Sequence, residues 1–184
     1  MTTVSDDTLL QRARQGDQRA FAALVERYEA QVRGIVYGML GNDSDADDVA
    51  QEVFIRFFRS LGNFRGQAQL GTYLGRIAIN TALTAAEKRK KRRWLPWEQV
   101  RQHDGWDLAD TSSDPGRGEL RDSLRKALAQ LSTDYRSVVV LRLVEGFSVA
   151  ETAAMLDLPQ GTVASRLARA QQQLRTLLAD VRPT

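Results

Sequence analysis

Apolar side chains recur at spacings of three and four along most of this chain, the pattern of helices that each bury one stripe. From Phe21 the stripe runs through Leu24, Val25, Tyr28, Val32, Ile35, Val36 and Met39, and it stops at Gly41-Asn42, residues that end helices. Ser44 with Asp47 three positions on has the form of a capping box. Asp43, Asp45, Asp47 and Asp48 crowd the same start, where the helix dipole favours negative charge. The helix predicted from there carries Val49, Val53, Phe54, Phe57, Phe58 and Leu61. Residues 62–70 (GNFRGQAQL) break the rhythm, and Tyr73, Leu74, Ile77, Ile79 and Leu83 predict another helix that runs into the basic tract KRKKRR at 88–93. No convincing period-two alternation of a strand occurs, so the expected fold is all-α.

Residues 94–118 (WLPWEQVRQHDGWDLADTSSDPGRG) fit no period and read as a flexible linker between two small helical domains, 5–93 and 119–180. All three tryptophans, Trp94, Trp97 and Trp106, fall here; they read either as anchors that dock on a domain or partner, or as incidental aromatics. Four helical stretches are expected beyond the linker. Leu120, Leu124, Ala127, Leu128 and Leu131 form the first stripe, which Ser132-Thr133-Asp134 ends. Val138-Val139-Val140-Leu141 has the β-branched content of a strand but helical neighbours. Ser148 and Glu151 form a second capping-box pattern, a break follows at 157–161 (DLPQG), and a last helix carries Val163, Leu167, Ala170, Leu174, Leu177 and Leu178.

This ending has the grammar of a helix-turn-helix, with a plain helical hairpin whose outer face is solvated as the alternative. On a helical wheel Val163, Leu167, Ala170 and Leu174 fall on one face, which is expected to be buried. Ser165, Ala168, Arg169 and Gln172 point away, flanked by Ala164 and Arg166. Such residues suit groove reading, since Arg pairs with guanine edges, Gln with adenine, and Ala touches a thymine methyl.

Composition narrows the function classes. The chain has no cysteine and a single histidine, His103, which removes disulfides, Cys-ligated zinc, a thiol nucleophile and multi-His metal sites. The N-terminal residues lack the apolar core of a signal peptide and no stretch approaches about 18 apolar residues, so a cytoplasmic protein without membrane insertion is expected. The net charge is only +3, but it is unevenly placed. Between Arg33 and Arg56 there is no base and there are five acids, while 87–93 holds six bases and one acid. A basic helix end suits phosphate contact, although it also suits a solvated helix C-terminus. The acidic helix suits a stable N-terminus, and its long base-free stretch suits a basic protein partner as well.

Taken together, DADDVAQEVFIRFFRSL, NFRGQAQLGTYLGRIAINTAL, KRKKRR and LVEGFSVAETAAMLDLPQGTVASRLARAQQQLR resemble the extracytoplasmic-function sigma factors of bacterial RNA polymerase, over about 7–178. The resemblance implies a promoter-specificity subunit without catalytic residues, metal, cofactor or small-molecule substrate. Its first domain would grip the clamp helices of the largest polymerase subunit through Asp47, Asp48, Gln51, Glu52, Phe54, Ile55 and Arg56. Phe64, Arg65, Thr72, Tyr73, Arg76, Asn80, Lys88 and Arg89 would receive the minus-ten element, trapping an unstacked base and tracking phosphates. The second domain would read the minus-thirty-five element through Gln160, Gly161, Thr162, Ala164, Ser165, Arg166, Ala168, Arg169 and Gln172, with other surfaces on the polymerase flap. An anti-sigma factor is a further implied partner.

Several positions depart from the family's habit. Tyr73 stands where Trp is common, Ala164 where a base is common, Ala168 where a polar residue is common, and Gln171-Gln172-Gln173 where arginines are common. The Pro usual near Thr133 is absent. A stand-alone helix-turn-helix regulator is the alternative, but the N-terminal half lacks the α/β pattern and acidic strand-end cluster of a phosphoacceptor domain. A metal-dependent nuclease built on Asp43 to Glu52 ranks below both, since helix capping accounts for those carboxylates.

Overall fold

The computed structural model describes residues 4–41, 43–64, 66, 69–92 and 115–179, without the side chains of 92 and 115–121. Among these residues there are eight α-helices and no strand, in two helical regions. The expected linker lies outside the described residues, with Trp94, Trp97, Trp106 and His103; so do Arg65 and Arg93.

The first region opens with a helix that the hydrophobic pattern did not announce. It is α1 (Asp6–Arg14), capped by Ser5, with Leu9, Leu10 and Ala13 buried. Asp17 caps α2 (Gln18–Leu40), accepting from the N–H groups of Arg19 and Ala20. The Arg12 guanidinium bonded to Asp17 is the main reason this carboxyl sits below its ordinary range. Helix α3 (Ser44–Ser60) starts one residue away from the expected cap. Asp43, not Ser44, is the N-cap and accepts from Ala46 N–H at 2.8 Å, while Ser44 is the first helical residue. No capping box forms here, because the Asp47 carboxylate turns away to Arg33 and to the Tyr37 hydroxyl. A 3-10 turn (Leu61–Asn63) leads through the break to α4 (Leu70–Arg92).

Phe57 is fully buried at the centre of this region, stacked on Phe21 with ring centroids 5.7 Å apart and meeting Tyr73 edge-on. Around it lie Leu24, Val32, Ile35, Val36, Val53, Leu74, Ala78 and Ile79. All but Ala78 belong to the predicted stripes, and α2, α3 and α4 bring them to one core; on α4, Ala78 is buried while the expected Ile77 and Leu83 are only partly so.

The second region begins at Pro115, inside the stretch expected as linker, with proline at the first helical position, where its missing N–H costs nothing. Helix α5 (Pro115–Gln130) is followed by α6 (Thr133–Val139), capped by Ser132, which continues as a π-helical turn (Val140–Val144). The β-branched run is therefore helical, and it is buried. Helices α7 (Val149–Leu156) and α8 (Gln160–Leu177) form the helix-turn-helix. Its turn holds Asp157 at φ 54°, the left-handed conformation that Asp tolerates better than most residues. The Ser148–Glu151 capping box is present in both directions, Glu151 N–H to Ser148 Oγ at 3.1 Å and Ser148 N–H to Glu151 Oε2 at 2.8 Å. Ser148→Ala should cost about 1 kcal/mol of stability, measured by urea unfolding; no loss would mean the box is idle.

The two regions are not independent bodies. Val140, Leu141 and Met155 join the core of the first region, and Arg136 Nη1 donates to the Met39 carbonyl of α2 at 2.8 Å. Thr72 of α4 donates to Glu151 of α7 at 2.8 Å.

Candidate functional site

Three polar surfaces carry the expected residues. On α3, Asp48, Gln51 and Ile55 are exposed at spacings of three and four. Phe58 extends the same stripe and is 59% exposed, the most exposed large apolar side chain among the described residues. Its place three residues beyond Ile55 is the signal that could have added it to the expected set. Glu52 and Arg56 lie beside the stripe, joined to each other at 2.8 Å. Asp47 and Phe54 do not share this surface. Asp47 is tied to Arg33 and Tyr37, and Phe54 packs against the core. Burial and the Asp47 bond push the Tyr37 hydroxyl above its ordinary pKa, so it stays neutral as part of this tie.

On α4, Thr72, Arg76, Asn80 and Lys88 lie at multiples of four residues, exposed except for the half-buried Thr72. They make one polar track toward the basic end of the helix. Tyr73 has a different setting. Its ring lies 4.8 Å from that of Phe64, centroid to centroid, and its hydroxyl donates to Ser60 Oγ at 2.9 Å. Phe64 is itself buried, and its carbonyl accepts from Arg14. Both aromatics thus brace the start of α4 rather than standing free. Arg89 is likewise committed: it donates to the Leu40 carbonyl at 3.0 Å and to Asp43 at 2.8 Å, with Asp45 at 3.6 Å. The acidic start of α3 and the basic end of α4 are therefore neighbours. They flank a cleft of about 560 Å³ lined by Asp45, Asp48, Val49, Lys88, Arg89 and Lys91.

On α8 the helical wheel matches the burial. Val163, Ala170 and Leu174 are buried, with Leu167 half-buried, and Gln160, Gly161, Ala164, Ser165, Ala168, Arg169 and Gln172 are exposed. Thr162 and Arg166 are half-buried, and Arg166 pairs with Asp134 at 2.9 Å, which draws it back toward α6. Among the described residues no group of three or more His, Cys, Asp or Glu could hold a metal ion, and no helix is long and apolar enough to cross a membrane.

Known proteins match this arrangement region by region. Residues 24–93 match the Sigma-70 region 2 family and residues 121–174 match Sigma-70, region 4. The RNA polymerase sigma-H factor of Pseudomonas aeruginosa is 36% identical over 181 residues, covering 95% of this chain and 94% of its own. The ECF RNA polymerase sigma-E factor of Escherichia coli strain K12 is also similar, 34% identical over 178 residues and 93% of each chain. The chain belongs to the extracytoplasmic-function sigma factors of RNA polymerase. Among solved structures, CnrH in complex with the cytosolic domain of CnrY superposes with a TM-score of 0.69 at 28% identity, covering 95% of this chain and 98% of that one. The sigma factor RpoE of Bartonella quintana, solved with the anti-sigma factor NepR, has the same fold, with a TM-score of 0.68 at 24% identity over 88% of this chain and 98% of that one. This sigma factor is thus a transcription initiation factor, binding core RNA polymerase and directing it to promoter DNA.

Proposed function

We propose that the three surfaces divide the sigma factor's work. The α3 stripe of Asp48, Gln51, Ile55 and Phe58, with the Glu52–Arg56 pair beside it, grips the clamp helices of the largest polymerase subunit. The α4 track receives the minus-ten element: Thr72, Arg76 and Asn80 meet the displaced strand, and Lys88 and its basic neighbours neutralise phosphates. Phe64, Tyr73 and Arg89 hold that helix in place. The open face of α8 reads the minus-thirty-five element in the major groove, and the other surfaces of the second region meet the polymerase flap. An anti-sigma factor is the third kind of partner, and the protein works in the cytoplasm; CnrH, similar over almost its whole length, is held by a second protein, the cytosolic domain of CnrY.

The observation that carries this reading is the α8 face. Its interior side is sealed against α6 and α7, and its outward side presents Gln, Ser, Ala and Arg to solvent. That face is poor in cations, because Arg166 is tied to Asp134 and three glutamines follow at 171–173. Direct contact between α8 and DNA should therefore depend on polymerase holding the duplex in place. The test is transcription in vitro from genomic fragments with core polymerase, set beside DNA binding by the protein alone. A promoter-specific transcript that needs both proteins, with weak DNA binding of shallow salt dependence by the chain alone, is expected. Absence of any specific transcript from folded protein would overturn the proposal, and tight salt-steep binding without polymerase would overturn its account of α8.

A further inference from the structure

Three helix-interior glycines face the second region. A Cβ on Gly34 would collide with the Glu145 carboxylate; on Gly38 it would lie 2.8 and 3.0 Å from the two methyls of Val140; on Gly75, 2.9 Å from Phe147 and 3.0 Å from Met155. Glycine inside a helix costs about 1 kcal/mol relative to alanine, so α2 and α4 are each weakened at positions where the second region sits. At all three positions the nearest obstructing atoms belong to the second region and none to the first. The glycines form a trough that fits the 140–147 turn and α7. Thr72 is covered in the process, bonded to Glu151.

This closed form is not the working form. The minus-ten and minus-thirty-five elements lie about 25 base pairs apart by name, or about 85 Å of duplex at about 3.4 Å per pair. A compact chain of this length is only about 40 Å across. One closed molecule cannot reach both elements, and Thr72, the first residue of its α4 track, is held by Glu151 of α7. Opening of the seam must precede promoter reading.

We infer that the seam is a proton-operated latch: with the Glu145 carboxyl neutral the second region stays in the glycine trough, and ionisation of Glu145 lifts it out and frees the α4 track. This rests on the proposed minus-ten role of α4 only for its consequence, not for the latch itself. The geometry is that of a carboxyl pressed against helix backbone, with no described donor or counter-charge acting on it. The charged groups on the surrounding elements are engaged elsewhere. On α2, Arg33 holds Glu29 and Asp47; on α6, Arg136 holds backbone carbonyls; on the π-helical turn, Arg142 donates from Nη1 to the Phe147 carbonyl while its buried Nε makes no hydrogen bond, to Glu145 or to any other described group; on α7, Glu151 is taken by Ser148 and Thr72. Burial accordingly pushes the Glu145 carboxyl from its ordinary 4.5 up to about 7 in the closed form. The open form returns it to water. The sign follows: closure is fully favoured below the ordinary value and is lost as pH rises through the closed-form value, with a change in the closing constant on the order of a hundredfold at about tenfold per unit.

The test uses the full chain, which has no native cysteine to interfere. Dyes on Ala22→Cys of α2 and Ala154→Cys of α7, both exposed, report the separation of the two regions by energy transfer. Transfer should be high at pH 5.5 and fall toward pH 8.5. Glu145→Gln should hold it high and flat across that range, whereas Gly38→Leu, whose side chain meets Val140 of the second region, should lower it at both ends. Far-ultraviolet circular dichroism checks that each variant is folded. A flat profile in the parent chain overturns the latch, whether or not Glu145→Gln folds. A pH transition that survives Glu145→Gln also overturns it, since the titrating group is then another, such as His103. Neither readout involves polymerase or DNA, so failure of the latch and failure of the promoter-reading assignment are distinguishable.

Discussion

Replacing Asp48 and Glu52 by lysine is expected to abolish binding to core polymerase, a loss of at least a hundredfold in affinity, while the helical circular dichroism and unfolding midpoint stay close to those of the parent. The separation of the two effects comes from where the carboxylates point. Asp48 is exposed, and its nearest structural role is to line the cleft beside Lys88 and Lys91. Glu52 makes a single surface pair with Arg56, and exposed pairs of this kind contribute about 0.3–0.5 kcal/mol. Neither side chain supports the core. Each reversal instead places a like charge against the basic partner face expected for this helix, and charge juxtapositions at an interface cost several kcal/mol in total. Asp47 is the contrasting residue. Its bonds to Arg33 and Tyr37 join α2 to α3, so Asp47→Lys should lower stability as well as binding. Surface plasmon resonance against core enzyme separates the cases, and core affinity retained by the double variant would refute the acidic-grip assignment.

The residues differ in how far their roles were legible in the sequence, and the reason is physical. Burial of helix stripes is a local property of spacing, so Val53, Phe57, Leu74, Val163 and Ala170 were legible as core, and the outward face of α8 followed by subtraction. The Ser148–Glu151 box was legible because both of its bonds lie within one turn. The same motif at Ser44–Asp47 misled, because Asp43 competes for the cap and Arg33, from another helix, draws Asp47 away. Arg89 shows the limit most plainly. In sequence it is one of six bases in a run, indistinguishable from Lys88, and only the approach of α3 to α4 ties it to Asp43 and Leu40. The helix glycines are opaque for the same reason. Gly34, Gly38 and Gly75 look like blemishes in α2 and α4 until the second region is laid against them.

At pH 5.5, with the two regions packed together, Arg136→Met is expected to destabilise the chain by about 2–4 kcal/mol, since hydrogen bonds to a charged group contribute about 1.5–3 kcal/mol each and the freed carbonyls regain part of that from water. The sequence marks Arg136 as an ordinary base near the start of a short helix. In the fold its half-buried guanidinium makes four bonds to carbonyl oxygens: Leu128 at 2.8 Å, Ala129 at 2.6 Å, Leu131 at 3.0 Å and, across the seam, Met39 at 2.8 Å. Three of these lie at the end of α5, where the last turn of any helix leaves carbonyls without backbone partners. The fourth lies near the end of α2, so one planar cation terminates two helices and joins the two regions. Burial lowers its pKa, but an arginine stays charged at any pH the fold survives, and the carbonyl dipoles replace the water it has lost. Methionine keeps much of the volume and supplies no donor, leaving all four oxygens to compete for solvent. Lysine should recover less than half of the loss, because a single ammonium cannot span carbonyls arranged for a planar fork. At about 2–4 °C per kcal/mol for a chain of this size, the melting point of the methionine variant should fall by about 10 °C. A shift of under about 2 °C would show that water replaces the guanidinium at little cost and that the two helix ends are held by their apolar packing alone.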